Sequence, residues 1–135
     1  MTGMPMMRVG VDLVRVRDVT ESVNTFGDRY LQRLFTPAEL SYARGDPTRM
    51  PERLAARFAA KEATIKALGM AEHEGAWRCI EVIRTASGRC ELLLHGRVRV
   101  AADALGATSL AISLSHEHEY AAAVVVAAVH RLPNA

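Results

Sequence analysis

Arg53 to Gly69 reads RLAARFAAKEATIKALG, and the rest of the chain is organised around this stretch. Leu54, Phe58, Ile65 and Leu68 fall at spacings near three, four and seven, the period of one helix face. No glycine or proline interrupts the run before Gly69, which stands where a C-terminal cap glycine belongs, so the spacing predicts a helix ending there. One side of that helix is dense in charge and the other rich in alanine. Arg53, Arg57 and Lys61 recur every fourth residue as a basic stripe. Glu62 and Lys66 are also a turn apart, in the favourable order with Glu first, and Phe58 lies a turn before Glu62. On charge alone two readings stand. One is a solvated face whose ion pairs contribute about 0.2–0.5 kcal/mol each, a common feature of surface helices. The other is a carboxylate set between lysines and arginines to hold a metal ion and a polyphosphate.

Working outward, the 135 residues suffice for one domain with its own core, and half of them are hydrophobic. The net charge of +2 is weak support for nucleic-acid binding but compatible with an acidic protein partner. Aromatics make up 5% of the chain and none interleaves with the basic stripe, which argues further against a nucleic-acid surface. Cys79 and Cys90 fit no metal spacing and read as free thiols of a reducing cytosol with no redox role. The opening MTGMPMM is not a secretory signal. The longest apolar run, Tyr120 to Val129, is ten residues and suits a buried strand, not a membrane span. A cytoplasmic enzyme or binding protein is expected.

Upstream of the central helix, Met6 to Val16 reads as a strand, with Asp12 on the opposite face from Val11 and Leu13. A carboxylate there is either turned to solvent or satisfied by a cation, since burying it alone is costly. A helix follows from about Asp18, Gly27 breaks it, and a short helix places Tyr30, Leu31 and Leu34 inward. Thr36-Pro37-Ala38-Glu39 is a capping-box helix start, and that helix ends near Gly45. Downstream, Met70 to Ala76 is a loop in which His73, between Glu72 and Glu74, reads as solvated. Trp77 to Thr85 and Arg89 to Leu94 form a hairpin about Ser87-Gly88. Gly96 to Leu105 has helical spacing. Thr108 to Ser115 alternates as a strand, His116 to Glu119 turns, and the final run, apolar on both faces, is a central strand. The pattern gives an α+β fold, helices packed on a mainly antiparallel sheet, with residues 1–135 as a single domain.

RFAAKEATIKALG resembles the central F/W-x-x-K-E-A-x-x-K motif of the phosphopantetheinyl transferases, through Phe58, Lys61, Glu62, Ala63 and Lys66. Two flanks agree with the short, holo-acyl-carrier-protein-synthase type of that family. VGVDLV (Val9 to Val14) is similar to its G-[IV]-D-[IL]-V, and ISLSHEHEYAAAVVV (Ile112 to Val126) to its S-[IL]-S-H segment and following strand. The resemblance implies transfer of 4′-phosphopantetheine from coenzyme A to a serine of an apo acyl carrier protein, leaving 3′,5′-ADP.

It further implies that Asp12 and Glu62 ligate Mg²⁺, with Glu62 as base for the serine, directly or through water, and Lys66 steadying the phosphate or leaving group. Arg57, Phe58, Lys61, Gly88, Arg89, Ser115 and His116 are the implied coenzyme-binding residues. Where the family has G-[KR]-P beside the coenzyme, this chain has Gly88-Arg89-Cys90. Arg15, Arg17, Arg29 and Arg33 are the implied contacts to the acidic carrier, with Asp18 standing where an arginine is expected. The resemblance also implies a homotrimer with coenzyme sites shared between neighbours, the Asp12/Glu62 half and the His116/Arg89 half coming from different chains. The other reading is a catalytically silent module that binds coenzyme A or a carrier protein. Both carboxylates and both lysines of the central motif being present speaks against it.

Overall fold

Strand β1 (Pro5–Arg15) owes its form to a run of β-branched and apolar residues at alternate positions. In the computed structural model, which describes residues 5–70 and 76–130, it pairs antiparallel with β5 (Tyr120–His130), which pairs in turn with β4 (Ala107–His116). The sheet order is therefore β1-β5-β4, with the doubly apolar last strand in the middle as expected. The reading of the loop around His73, and that of residues 1–4, lie outside the described residues.

Helix α4 (Met50–Leu68) crosses the inner face of this sheet. Pro51 sits in its first turn, and Gly69 closes it in the left-handed conformation at φ 66°, as the sequence predicts. The helix approaches closely because both surfaces are trimmed to small residues. Ala59, Ala60, Ala63 and Ala67 on α4 and Ala121, Ala123 and Ala127 on β5 are all buried. At Gly10 a Cβ would run into the carbonyl oxygen of Ala63, so the contact admits only glycine.

The period of two then fixes the two faces of β1. Gly10 and Val14 point to α4 and are buried, with Asp12 between them, whereas Val9, Val11 and Leu13 lie on the other face and are 59–65% exposed. On that open face Ala122, Val124 and Val126 of β5 lie alongside them, and Ser109, Ala111, Ser113 and Ser115 of β4 complete it.

The side of α4 away from the sheet is covered by α3 (Pro37–Arg44), the hairpin of β2 (Ile80–Arg84) and β3 (Cys90–Leu94), and α5 (Gly96–Leu105). This overturns the solvated-face reading of the basic stripe: Arg57 and Lys61 are 4% and 0% exposed. The capping box predicted at Thr36 is present, with Thr36 Oγ accepting from the Glu39 amide and Glu39 accepting from the Thr36 amide.

Two boundaries differ from expectation. Helix α1 (Val16–Phe26) begins directly at the strand end, because Val16 and Val19 turn inward and the Val16 amide donates to the Glu119 carbonyl at 2.8 Å. Trp77–Cys79 is a 3₁₀ turn and not strand, with Trp77 packed on Phe58 at 5.4 Å between ring centres. The break at Gly27 separates α1 from α2 (Asp28–Leu34), whose Leu31 and Leu34 join the fully buried Phe35 in the core. Burial of such side chains contributes about 1.5–3 kcal/mol each. No described helix is long and apolar enough to cross a membrane.

Candidate active site

Every fourth residue of α4 faces the same way, yet the predicted site residues divide between two sides of the helix. Phe58 and Lys66 face β1. Lys66 Nζ donates to Asp12 Oδ1 at 3.0 Å and to the Val11 carbonyl at 3.1 Å. The Asp12 side chain is 18% exposed, more enclosed than its partner lysine. Asp12 and Phe58 line one hollow together with Val14, Asp18, Ser22 and Tyr30. Burial raises the pKa of Tyr30 and a bond to Ser22 opposes it, which keeps the phenol protonated. Glu62, half-buried, stands on α4 one turn from both Phe58 and Lys66, so helix geometry brings its carboxylate to the same side as Asp12.

This donor set fits a magnesium ion. It offers one carboxylate from a strand and one from a helix, and Mg²⁺ takes one or two carboxylates and fills its octahedron with phosphate oxygens and water. Among the described residues no three His, Cys, Asp or Glu side chains converge, so a closed all-protein cage is absent; Asp12 lines the hollow, and Glu62 stands on the same side of α4 outside its lining.

The other side of α4 borders a cleft of about 540 Å³. Its wall is built on Tyr42 of α3. The guanidinium carbons of Arg53 and Arg57 each lie 4.2 Å from the centre of that ring and that of Arg84 lies at 5.6 Å, favourable cation–π positions. Arg53 is anchored by a 2.8 Å bond to the Tyr42 carbonyl, and Arg84 by a 3.0 Å bond to the Tyr42 hydroxyl. Gly88, Arg89 and His116 line the same cleft. His116 Nδ1 lies 3.0 Å from a Glu52 carboxylate oxygen, and the other oxygen of that carboxylate lies 3.5 Å from His118. Burial lowers the pKa of Arg57 from its ordinary value, and Cys90, Tyr42 and Glu39 oppose the shift. Its Nε is buried and has no hydrogen-bond partner among the described residues. Several fixed guanidiniums, one with a buried donor to spare, are suited to phosphate.

The remaining expected residues fall elsewhere. Lys61 does not reach the cleft: its ammonium donates to Glu39 Oε1 at 2.8 Å, to the Trp77 carbonyl at 2.9 Å and to the Ile80 carbonyl. An ammonium has three protons, so all its donors are used, and Lys61 ties α4 to α3 and β2 where the resemblance implies a phosphate ligand. Burial lowers its pKa and the Glu39 carboxylate opposes that shift. Ser115 lies on the open sheet face because it is one residue out of phase with His116, and it is absent from the cleft wall. Arg15, Arg17, Arg29 and Arg33 are all exposed on or beside α1 and α2. Arg15 stacks at 6.0 Å on Tyr120, and Arg17 pairs with Glu21 at 3.8 Å.

Tyr42, Glu52 and Arg84 were not singled out from the sequence. Arg84 had a signal, since it faces Cys90 across the predicted hairpin; Tyr42 had none, because its role depends on how α3 docks.

A strand carboxylate bridged to a lysine of the central helix, with an arginine cleft behind that helix, is an arrangement suited to a phosphate-bearing substrate. The model of the 4′-phosphopantetheinyl transferase superfamily matches residues 8–125. The chain belongs to that family, and its relatives place it among the holo-[acyl-carrier-protein] synthases. It is 43% identical over 123 residues to the holo-[acyl-carrier-protein] synthase of Moorella thermoacetica, covering 90% of this chain and 93% of that one. To the synthase of Koribacter versatilis it is 42% identical over 118 residues, 87% and 94% of the two chains. Among solved structures it resembles the Chronobacterium ammoniagenes ACPS–CoA complex at a TM-score of 0.81 and 32% identity, over 93% of this chain and 99% of that one. The chain is accordingly an enzyme, a phosphopantetheinyl transferase.

Proposed function

We propose that the protein, acting in the cytoplasm with its whole chain as one transferase domain, moves 4′-phosphopantetheine from coenzyme A to a serine of an acidic apo acyl carrier protein and releases 3′,5′-ADP. The observation that carries this reading is the buried Arg57 with an unpartnered Nε in a cleft shared with Arg53, Arg84 and Arg89, a seat for the coenzyme's phosphates. In the reaction the serine hydroxyl attacks the phosphorus that bears the pantetheine arm. The bond from that phosphorus to the bridging oxygen breaks, and 3′,5′-ADP leaves with the electron pair. Glu62 accepts the serine proton, and Lys66, held beside Asp12, places positive charge where the leaving oxygens gain negative charge. Asp12 and Glu62 are the residues that would hold Mg²⁺, which when bound supplies charge neutralisation at the pyrophosphate. Phe58 shapes the path of the pantetheine arm, and Arg15, Arg17, Arg29 and Arg33 offer positive charge to the carrier.

The Asp12 hollow and the arginine cleft are separate in one chain. A coenzyme bridging both kinds of surface is accommodated if the hollow of one chain meets the cleft of another. The open apolar face of Val9, Val11, Leu13 and Val124 supports such an assembly, since a patch of this kind on a small protein marks an interaction site. A homotrimer is the proposed form.

The test is the intact mass of an apo acyl carrier protein after incubation with this protein, coenzyme A and Mg²⁺. A gain of one phosphopantetheine, lost with EDTA and with Glu62→Gln, is expected. Coenzyme A binding by calorimetry with no gain on any carrier would instead identify a silent binding module.

A further inference from the structure

Cys90 opens β3 at the position where the coenzyme-side loop carries Gly88-Arg89 before it, and its side chain lines the arginine cleft. Across the hairpin it pairs with Arg84, and cross-strand partners share a face, so thiol and guanidinium look into the same space. Arg57 lines the same cleft as Cys90, and its buried Nε–H has no acceptor among the described residues. The cleft wall includes one carboxylate, the exposed Glu91, against Arg53, Arg57, Arg84 and Arg89. Both cysteines are free thiols and half-buried. Cys79 sits elsewhere, in the 3₁₀ turn against Gly96 at the start of α5.

We propose that Cys90 is a modification site for disulfides of anionic low-molecular-mass thiols, which the arginine cleft recruits and which then block the coenzyme seat. This rests on the proposed reading of the cleft as that seat. The Cys90 proton goes to solvent and the thiolate attacks one sulfur of the disulfide. The disulfide bond breaks, a bond forms between Cys90 Sγ and that sulfur, and the second thiol leaves as a thiolate with the electron pair. The disulfide is itself the oxidant, so nothing further is needed, and a thiol reductant reverses the step. Four guanidiniums raise the local concentration of an anionic reagent, and such fields accelerate encounter by about 10–10³-fold at low salt. An expectation that neither cysteine has redox chemistry is revised for Cys90 on its placement alone.

The experiment labels the wild-type protein with the dianionic 5,5′-dithiobis(2-nitrobenzoate) and, separately, with the neutral 2,2′-dithiodipyridine, and assigns each adduct to Cys79 or Cys90 by peptide mass. The rate ratio of anionic to neutral reagent is expected to be about tenfold or more higher at Cys90 than at Cys79, falling with added salt. Arg84→Gln should lower the anionic rate at Cys90 and leave the neutral one. Saturating 3′,5′-ADP should protect Cys90, the labelled protein should lose 3′,5′-ADP binding by calorimetry, and dithiothreitol should restore it. Equal charge preference at the two cysteines overturns the proposal. So does labelling of Cys90 that continues while calorimetry shows 3′,5′-ADP bound. If 3′,5′-ADP does not bind the unlabelled protein at all, the coenzyme reading fails, and the charge preference alone then decides the fate of the Cys90 site.

Discussion

Lys61→Met separates a structural lysine from a phosphate ligand. Methionine keeps much of the stem's volume and removes the ammonium. Three bonds are lost: to Glu39 at 2.8 Å and to the carbonyls of Trp77 and Ile80. The Glu39 carboxylate, 0% exposed, is left without its cation. Breaking one side of a buried ion pair costs about 3–5 kcal/mol. The lower half of that range applies, because the amides of Thr36 and Val82 still donate to Glu39 at 2.8 and 2.9 Å. A loss of about 3–4 kcal/mol lowers the melting temperature by roughly 10–15 °C in a domain of this size. Urea and thermal unfolding measure the loss, and titration calorimetry with coenzyme A on the folded variant measures binding. Adding Glu39→Gln should return about 1 kcal/mol or more, the mark of a coupled pair. The reasoning is refuted if Lys61→Met costs under about 1 kcal/mol and weakens coenzyme A binding tenfold or more, for then the lysine leaves Glu39 to meet the phosphates.

Two further outcomes follow from the same contacts. Burial raises the Glu81 pKa, but bonds from Thr36 Oγ and His95 outweigh it and hold the carboxyl below its ordinary value of 4.5. A folded pKa below the unfolded one means its contribution is full above about pH 4.5 and lost as pH falls through the folded value, so Glu81→Gln should flatten the acid side of the stability–pH curve. Val11 is 59% exposed on the open sheet face, so Val11→Lys should fold normally; sedimentation should show the wild type at about three times the 14.7 kDa chain and the variant at the mass of one.

The helix ends and the hairpin were legible in the sequence because each rests on local chemistry: the Thr36–Glu39 box, Gly69 past Leu68, and the Ser87-Gly88 turn. The burial of the basic stripe was not. Periodicity marks α4 as two-faced, but it cannot say that α3 and the hairpin close over the charged face, a fact that depends on Glu39 meeting Lys61 across 22 residues. The face of β1 was half legible. Alternation separates Asp12 from Val11 and Leu13, yet hydrophobicity points to the valines as the inner set, whereas Gly10 decides the matter by letting α4 approach the other side. The motif residues were found through resemblance, and the structure redistributes them: Asp12, Phe58 and Lys66 to the sheet side, Arg57, Arg89 and His116 to the cleft, Lys61 to the core.

That redistribution follows from one helix serving three surfaces. The α4 backbone at Ala63 and Ala67 must face Gly10, because a Cβ on any other residue there would run into the Ala63 carbonyl and the Ala67 amide nitrogen. Once those positions are fixed, 100° per residue fixes the others. Lys66 comes to β1 beside Asp12, and Lys61 is driven under α3, where an unpaired ammonium is untenable and Glu39 becomes obligatory. Arg57, one turn before Lys61, emerges under Tyr42 at the cleft. Glu62 is adjacent in sequence to Lys61 and points away from it, so the proposed base and the proposed phosphate cradle fall on different sides of α4. The proposed homotrimer would answer this separation by apposing the Asp12 hollow of one copy to the arginine cleft of another, with the uncovered valines of β1 as the surface for doing so.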